Sequence, residues 1–346
     1  MITNDELISI LENSLPGATA TEEKHLQRTI RRISLSQSSC SPDSPSSLKL
    51  KNIVAAHSDI LSPEIIKTFE ACEIYCVEEP ICNAYATRKN GGKIIVFEGL
   101  LQVISFYINL IKISDLFNLC KPEKQNEAVD FLTAGFALLV DFIETGETLP
   151  KVENVLPPKV ENDVNIGFLT SVLFLLNHEA AHLMLGHTKL NYHSELNVGS
   201  LRLEENAGND KKLEFEADEY AFFAIDESLR DFFIPSIVFF LGAIAFAETF
   251  SASDTKTHPL AANRIARLAD FVRFENDPQA RKAVFDVIEG ELDRHRRLFD
   301  YRNAYGSFGR SRIQTIMPTA EAKKIFDRFL TEIKSKNYFS ELESGI

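Results

Sequence analysis

Apolar residues recur at helical spacing along most of the chain, and polar stretches separate the apolar segments. The pattern predicts helices at residues 1–32, 50–73, 98–113, 122–145, 166–187, 211–225 and 232–249, another after Pro259, and a helical C-terminal third to about residue 337. Ser62-Pro63 is a helix-start signal inside the second segment. Most of the chain is therefore expected to be helical.

One segment has the character of strands. Val, Ile, Tyr and Phe are enriched in residues 74–101, and Asn90-Gly91-Gly92 separates two apolar runs there, which predicts a β-hairpin. The remaining breaks are a Ser- and Pro-rich linker at 34–48, a proline-containing acidic loop at 146–164 and a polar, irregular stretch at 188–209. The predicted fold class is α+β, mostly helical with one small sheet.

Composition and charge narrow the function classes. The chain has 346 residues, a net charge of −13 and a pI near 5.2, which argues against nucleic acid as the main partner. Its first residues, MITNDELISILENSLPG, lack the basic start and apolar core of a signal peptide. The longest uncharged apolar run, 232–247, is shorter than the ~20 residues that cross a bilayer. We therefore expect a cytoplasmic protein. Segment 232–247 is expected to be a buried core helix, and peripheral membrane contact is the alternative for it.

Five cysteines are present, namely Cys40, Cys72, Cys76, Cys82 and Cys120. Their odd number in a long chain argues against a secreted disulfide framework, and no CxxC pair indicates a metal site. We expect reduced, mostly buried thiols.

The segment NHEAAHLMLGHT, residues 177–188, carries the main chemical pattern. His178 and His182 are four residues apart, so on a helix they share one face and can hold one tetrahedral metal ion. Glu179 can reach a water molecule on that metal, which is the HExxH arrangement of two zinc ligands and a general base. The flanking residues are apolar, so these polar groups need partners. A structural histidine pair is the alternative interpretation.

A third ligand must come from elsewhere in the chain. His187 follows His182 by five residues, whereas the long zinc signature needs six, so we expect His187 at the helix end and not on the metal. In LEFEADEYA, Glu214 and Asp218 share a helix face. Glu214 can complete the site, and Asp218 can accept the free N–H of a ligand histidine. Glu216 is expected to point elsewhere, and an ordinary acidic amphipathic helix is the alternative for this segment.

HEAAH followed by EFEAD resembles the HExxH and ExxAD motifs of a zinc peptidase (gluzincin) group, that of HtpX and the CAAX prenyl endopeptidases. Two further segments are similar to that group. One holds Asn83, Ala84, Tyr85, Ala86, Gly91, Gly92, Gly99 and Leu100, and the other holds Thr257, His258, Pro259, Arg264 and Ile265. The resemblance spans roughly residues 78–270 and implies a zincin-like metallopeptidase fold with one Zn²⁺ per chain.

The spacing of HEAAHLMLGH, EFEADEYA and THPLAANRI also resembles the soluble phage-exclusion peptidases of the Lit type, which lack the paired transmembrane helices of HtpX. That likeness implies a bacterial protease with a protein substrate, a host translation factor being one candidate. It does not cover residues 1–70 or 275–346.

The resemblance also implies roles for individual residues. His178, His182 and Glu214 would be the zinc ligands and Glu179 the catalytic base. His258 would stabilise the oxyanion near the zinc, and Arg264 would anchor its motif structurally. Asn83, Ala84, Tyr85 and Ala86 would form an edge strand that pairs with an extended substrate.

We therefore expect a zinc-dependent endopeptidase that is selective and regulated, in phage defence or a stress response. A catalytically silent zinc-fold binding or sensor module is the first alternative, and a membrane-surface protease is the second. The predicted parts are a helical segment 1–33, the linker 34–48, a catalytic domain 50–275 and a helical extension 276–346. An insert at 114–165 is either a lid that keeps the enzyme latent until an activator or trigger acts, or a surface insertion.

Overall fold

The fold is mostly helical with one three-stranded sheet near the start of the chain, which confirms the α+β class. A computed structural model describes residues 4–14, 27, 30, 41–88, 91–146, 148–152, 154–187, 200–250, 260–305, 317–336 and 338–339. Its α-helices are α1 (Asn4–Ser14), α2 (Pro45–Ala56), α3 (Pro63–Glu70), α4 (Glu98–Cys120), α5 (Gln125–Thr145), α6 (Pro158–Leu185), α7 (Ser200–Phe223), α8 (Arg230–Phe250), α9 (Ala261–Leu268), α10 (Pro278–Tyr305) and α11 (Thr319–Lys336).

The sheet contains the predicted hairpin and one further strand. Its strands are β1 (Cys72–Val77), β2 (Ala84–Thr87) and β3 (Gly92–Phe97), in the order β1-β3-β2. β2 and β3 are antiparallel, and Gly91 between them has φ +101°, a conformation that favours glycine. β1 runs parallel to β3. In the described part of the chain β2 pairs with β3 alone, so it is an edge strand.

Both faces of the sheet are covered, because its strands alternate between two hydrophobic clusters. The main core takes Ile74, Cys76, Ile94 and Val96. The opposite face carries Tyr75, Val77, Ile95 and Phe97, and Leu7 of α1 packs against it. Buried Lys93 also lies 3.3 Å from Glu6 of α1. The described helix of the predicted segment 1–33 is thus part of the folded body.

Serine-proline pairs begin two helices. Ser62 Oγ accepts a hydrogen bond from the Ile65 N–H at 3.4 Å with proline next to it, as the sequence predicts. Ser44 caps α2 in the same way, so the linker prediction 34–48 is wrong from Pro45 onwards. Ser47 is buried there, and its hydroxyl accepts the N–H of Cys76.

Two more predicted boundaries need correction. α6 begins at Pro158 and not at 166, so the predicted loop 146–164 ends early. A proline fits the first turn of a helix because its missing N–H would have no partner within the helix there. α7 begins at Ser200, so residues 200–209 are helical and not irregular. Their Leu, Glu, Arg and Ala favour a helix although the segment is polar.

The insert 114–165 and the C-terminal extension share the main hydrophobic core. Phe131 of α5 is fully buried and stacks on Phe326 and Phe329 of α11, with ring centroids 4.8 and 4.3 Å apart. Leu149, Val155 and Leu156 in the following loop are buried as well. A surface insertion would not bury these groups, so that interpretation of the insert is wrong. The function of the insert and the proposed domain division stay predictions.

Three described helices are long and apolar enough to cross a membrane by length and composition, namely α4, α6 and the Arg230–Ala247 part of α8. Their most apolar windows are 61%, 72% and 56% buried within the protein. The 232–247 segment therefore packs largely as the expected core helix. Membrane contact stays a prediction.

The four described cysteines form no disulfide with one another. Cys76 is buried, and Cys72, Cys82 and Cys120 are half-buried. Burial raises the pKa of Cys72 to about 12, with Glu73 adding to the effect, and burial raises the pKa of Cys82 to about 12. These two thiols are therefore protonated at neutral pH and poor metal ligands.

Gly99 at the start of α4 should not tolerate a side chain. A Cβ atom there would lie 2.5 Å from the backbone carbon of Pro80. We expect Gly99→Ala to lower the free energy of unfolding by about 1–3 kcal/mol through overpacking. Gly290→Ala is the control, because nothing lies within 4 Å of its Cβ and alanine favours a helix, which should stabilise by about 0.5–1 kcal/mol. Urea unfolding measures both, and equal stability of Gly99→Ala and the wild type would contradict the close approach.

Candidate metal centre

The HExxH motif lies in the second half of α6, which is surrounded by α3, α4, α7, α8 and the sheet. His178 and Glu179 are 5% and 6% exposed, and His182 is half-buried. The rings of the two histidines face the same side of the helix, with their Nε2 atoms 3.1 Å apart. Local helical geometry thus brings both imidazoles to one point, as their spacing of four residues predicts.

Glu214 of α7 reaches the same point from the neighbouring helix. Its Oε2 atom is 3.3 Å from His178 Nε2, and its Oε1 atom is 3.4 Å from His182 Nε2. Among the described residues this is the one His/Cys/Asp/Glu group that could hold a metal ion. Tetrahedral zinc with bonds of about 2.0–2.1 Å places its ligand atoms roughly 3.3–3.4 Å apart. The two nitrogens and the carboxylate therefore fit a zinc ion in type, and each nitrogen has one carboxylate oxygen at about that spacing.

Asp218 and Arg264 lie behind His178. Asp218 Oδ1 is 3.0 Å from His178 Nδ1, the ring nitrogen on the far side from Glu214. Arg264 of α9 donates two hydrogen bonds to the Asp218 carboxylate, at 2.6 and 2.7 Å. All three side chains are buried. The structure thus places Asp218 behind the ring of His178, as the sequence suggests, and it places Arg264 against Asp218.

The charges of this buried group set its pKa values. Burial alone would lower the pKa of His178, but Asp218 and Glu214 raise it to about 10. Burial raises the pKa of Asp218, yet Arg264 and His178 more than offset this effect, so the pKa lies below its ordinary value. The two carboxylates therefore favour the protonated form of the His178 ring.

His187 lies beside His182, a contact that the sequence reasoning missed. α6 ends at Leu185, and Gly186 has φ +75°, the left-handed conformation that turns a chain back at a helix end. This turn places His187 Nδ1 3.0 Å from His182 Nδ1. His187 Nε2 is 3.4 Å from Glu216 Oε2, and Glu216, like His187, does not belong to the metal-binding group of His178, His182 and Glu214. Gly186, two residues before the predicted irregular stretch 188–209, is the one sequence signal for this contact.

His187 is buried, and burial together with the neighbouring His182 lowers its pKa. It does not belong to the metal-binding group of His178, His182 and Glu214. The expectation that it lies at the helix end and off the metal agrees with this placement.

The edge strand β2 lies next to the HExxH helix. Arg88, which follows β2, donates a hydrogen bond to the carbonyl of Leu183 near the end of α6. Asn83 precedes the strand, and its side chain donates to the Tyr85 hydroxyl at 2.9 Å. Ala84, Tyr85 and Ala86 belong to β2 itself. The predicted substrate strand is thus at a sheet edge beside the candidate site, and its role in substrate binding stays a prediction.

Of the two predicted catalytic residues, Glu179 is among the described residues and His258 is not. Glu179 is buried directly after His178, on the helix that carries both histidines. His258 lies outside the described residues, together with Thr257 and Pro259. The roles predicted for Glu179 and His258 therefore stay predictions.

Comparison with known proteins adds an independent finding. Residues 101–284, more than half of the chain, match the family model of Peptidase U49. No curated protein and no solved structure matches the chain. The matched segment contains His178, Glu179, His182, Glu214, Asp218 and Arg264. A family of peptidases agrees with the predicted hydrolase and with a protein substrate, and the His–His–Glu cluster lies inside the matched segment. With more than half of its length matched, the chain belongs to the peptidase U49 family.

Proposed function

We propose that this peptidase is a zinc-dependent endopeptidase of the cytoplasm, with one zinc ion held by His178, His182 and Glu214. The observation that carries the proposal is the convergence of three side chains. The two histidine Nε2 atoms are 3.1 Å apart, and each lies 3.3 to 3.4 Å from one oxygen of the Glu214 carboxylate. Two imidazoles and one carboxylate form a known catalytic zinc set, which keeps a coordination position open. Magnesium and calcium prefer oxygen ligands, so they suit this site less well.

When bound, zinc supplies a Lewis acid that activates water and polarises the carbonyl group of a peptide bond. Glu179 takes a proton from the attacking water and delivers it to the nitrogen of the leaving amine as the C–N bond breaks. Asp218 holds the ring of His178 in place and is itself held by Arg264. The role of His258 in oxyanion stabilisation rests only on the resemblance of its segment to the gluzincin group.

The extended substrate is proposed to add to the edge of the sheet along β2. Backbone groups at a sheet edge can form main-chain hydrogen bonds with an extended peptide of almost any sequence. β2 is joined to the HExxH helix through Arg88 and the Leu183 carbonyl, so a peptide paired with it would run close to Glu179. Selectivity would then come from surfaces outside this strand.

We further propose that the enzyme acts on few proteins and in a regulated manner, in phage defence or a stress response. The motif spacing that resembles the Lit-type phage-exclusion peptidases supports this assignment and makes a host translation factor a candidate substrate. The strongly acidic chain favours a basic or neutral protein surface over nucleic acid. An activator or trigger is part of the proposal, since an unregulated cytoplasmic protease would damage its own cell.

Zinc analysis of the purified chain tests the metal site. We expect about one zinc per wild-type chain and none in Glu214→Ala, because two histidines alone hold zinc weakly. Glu219→Ala is the matched control, a carboxylate on the same helix that pairs with Arg267 at the surface. Mass spectrometry of metal content after removal of loosely bound ions gives the answer. Zinc retained by Glu214→Ala would mean that another residue is the third ligand.

A further inference from the structure

The two histidines of the candidate metal site are supported in different ways. His178 has a carboxylate directly behind it, Asp218, at 3.0 Å from Nδ1. His182 has another histidine in the corresponding place, since its Nδ1 lies 3.0 Å from His187 Nδ1. Asp218 is buried and held by Arg264, whereas His187 leads to Glu216, whose side chain is 41% exposed. The second arrangement is longer and ends nearer to solvent.

Proton positions in this second arrangement follow from the chemistry of the imidazole ring. A neutral imidazole that gives its Nε2 lone pair to a metal carries its proton on Nδ1. His182 would then donate from Nδ1, so Nδ1 of His187 must be the acceptor. A neutral His187 with an accepting Nδ1 carries its own proton on Nε2, the atom that faces Glu216 Oε2 at 3.4 Å. Each donor in this series of hydrogen bonds thus meets an acceptor, and the series ends on the carboxylate of Glu216.

We propose that His187 is a positioning residue of the metal centre, which fixes the ring and the tautomer of His182 and connects it to the carboxylate of Glu216. The inference rests on the proposed zinc site and adds a residue that the HExxH and ExxAD motifs do not contain. His187 faces the nitrogen of His182 that points away from His178 and Glu214, so it supports a ligand and is not itself one.

The backbone makes this placement possible. Gly186 in the left-handed conformation ends α6 and directs His187 back against the last turn of the helix. The side chain of His187 is 8% exposed, so the hydrogen bond to His182 is shielded from competing water. Lys212 lies 3.4 Å from Glu216 Oε1 and shares that carboxylate. We therefore expect the contribution of Glu216 to be smaller than that of His187.

The test measures the metal site directly and needs no substrate. Zinc affinity, by competition with a chromophoric chelator, and the visible absorption spectrum of the Co²⁺ form are compared in the full chain. The variants are His187→Leu, His187→Asn and Glu216→Gln. The controls are His295→Leu, a histidine on α10, and Glu219→Gln, a carboxylate on the same helix as Glu216. Thermal unfolding of the metal-free proteins checks that each variant folds.

We expect His187→Leu to lower zinc affinity about 10- to 100-fold and to change the Co²⁺ spectrum, as loss of a ligand's hydrogen-bond partner does. His187→Asn should recover much of the affinity, because its amide oxygen can accept from His182 Nδ1. Glu216→Gln should give a smaller loss, and both controls should match the wild type. Should His187→Leu fail to fold, His187→Asn and Glu216→Gln still decide the question.

Three results would overturn the proposal. The first is a folded His187→Leu with the zinc affinity and Co²⁺ spectrum of the wild type, which would show that the ring of His182 needs no such support. Where His187→Leu does not fold, the same result in Glu216→Gln would show this. A loss in His187→Leu as complete as that in Glu214→Ala would show that His187 is a ligand. Absence of zinc from the wild type would remove the proposed function and this inference together, which separates that failure from the other two.

Discussion

Replacing Glu179 with glutamine is expected to abolish proteolysis while the zinc ion stays bound. Glutamine has nearly the same shape as glutamate, so the buried position, which is 6% exposed, can accept it without a cavity. The amide cannot take a proton from water at neutral pH, and a positioned general base contributes about 10²- to 10⁴-fold to rate. The proposed ligands His178, His182 and Glu214 are unchanged, so zinc content should equal that of the wild type.

The measurement is a proteome-wide search for new protein N-termini in bacterial cells that express either form. We expect one or a few cuts that occur with the wild type and not with Glu179→Gln. Glu161→Gln is the matched control, a glutamate on the same helix about 27 Å away at 1.5 Å per residue. Its cuts should equal those of the wild type.

Two outcomes would contradict this expectation. Identical cuts by Glu179→Gln and the wild type would mean that Glu179 is not the catalytic base. No cuts by either form, with zinc bound in both, would leave a latent enzyme or a silent binding module, and addition of candidate activators to the purified chain would separate these two.

The histidine pair of the candidate site was predictable because its geometry is local. His178 and His182 need nothing more than a helix to face one point, and the apolar residues around them make that helix certain to be buried. Glu214 was less secure, since its approach depends on how α7 packs on α6. It could be proposed because the buried imidazoles need a carboxylate and LEFEADEYA offers two on one face. The helix starts at Pro63 and the hairpin at Gly91 were likewise local signals.

Contacts between distant segments account for what the sequence did not predict. β1 pairs with β3 in parallel, α1 covers the outer face of the sheet, and Phe131 stacks on rings nearly 200 residues later in the chain. None of these three contacts is predicted by a residue spacing or by a turn residue in the sequence. The contact of Glu216 with His187 is of the same kind, since it joins two helices through the turn at Gly186. Hydrophobic pattern predicts which residues are buried, but it does not say against which partner.

Removal of the Arg264 guanidinium should be among the most destabilising single changes near the site. Arg264 is 7% exposed and donates two hydrogen bonds to the buried Asp218 carboxylate. In Arg264→Met that buried carboxylate loses the guanidinium and keeps its contact with His178. Breaking a buried ion pair from one side typically costs about 3–5 kcal/mol, because it leaves a charge without its partner. We expect a loss of that size in the free energy of unfolding, measured in urea at pH 7.

Arg267→Met is the control, since Arg267 pairs with Glu219 at the surface of the same two helices. Both side chains of that pair are about 40% exposed, so we expect a loss of about 1 kcal/mol or less. A similar loss in both variants would mean that burial does not strengthen the Asp218 pair.

The loss in Arg264→Met should also depend on pH in a definite direction. Arg264 and His178 hold the pKa of Asp218 below its ordinary value in the folded protein, although burial acts against them. The ionised Asp218 therefore adds stability above its unfolded pKa of about 3.9, and this stability is lost as the pH falls through the lower folded pKa. Without Arg264 the folded pKa rises, so the difference between wild type and variant should be full at pH 7 and shrink below about pH 4. Urea unfolding across this range measures the difference, and a difference that is independent of pH would mean that Arg264 acts by packing and not through the charge of Asp218.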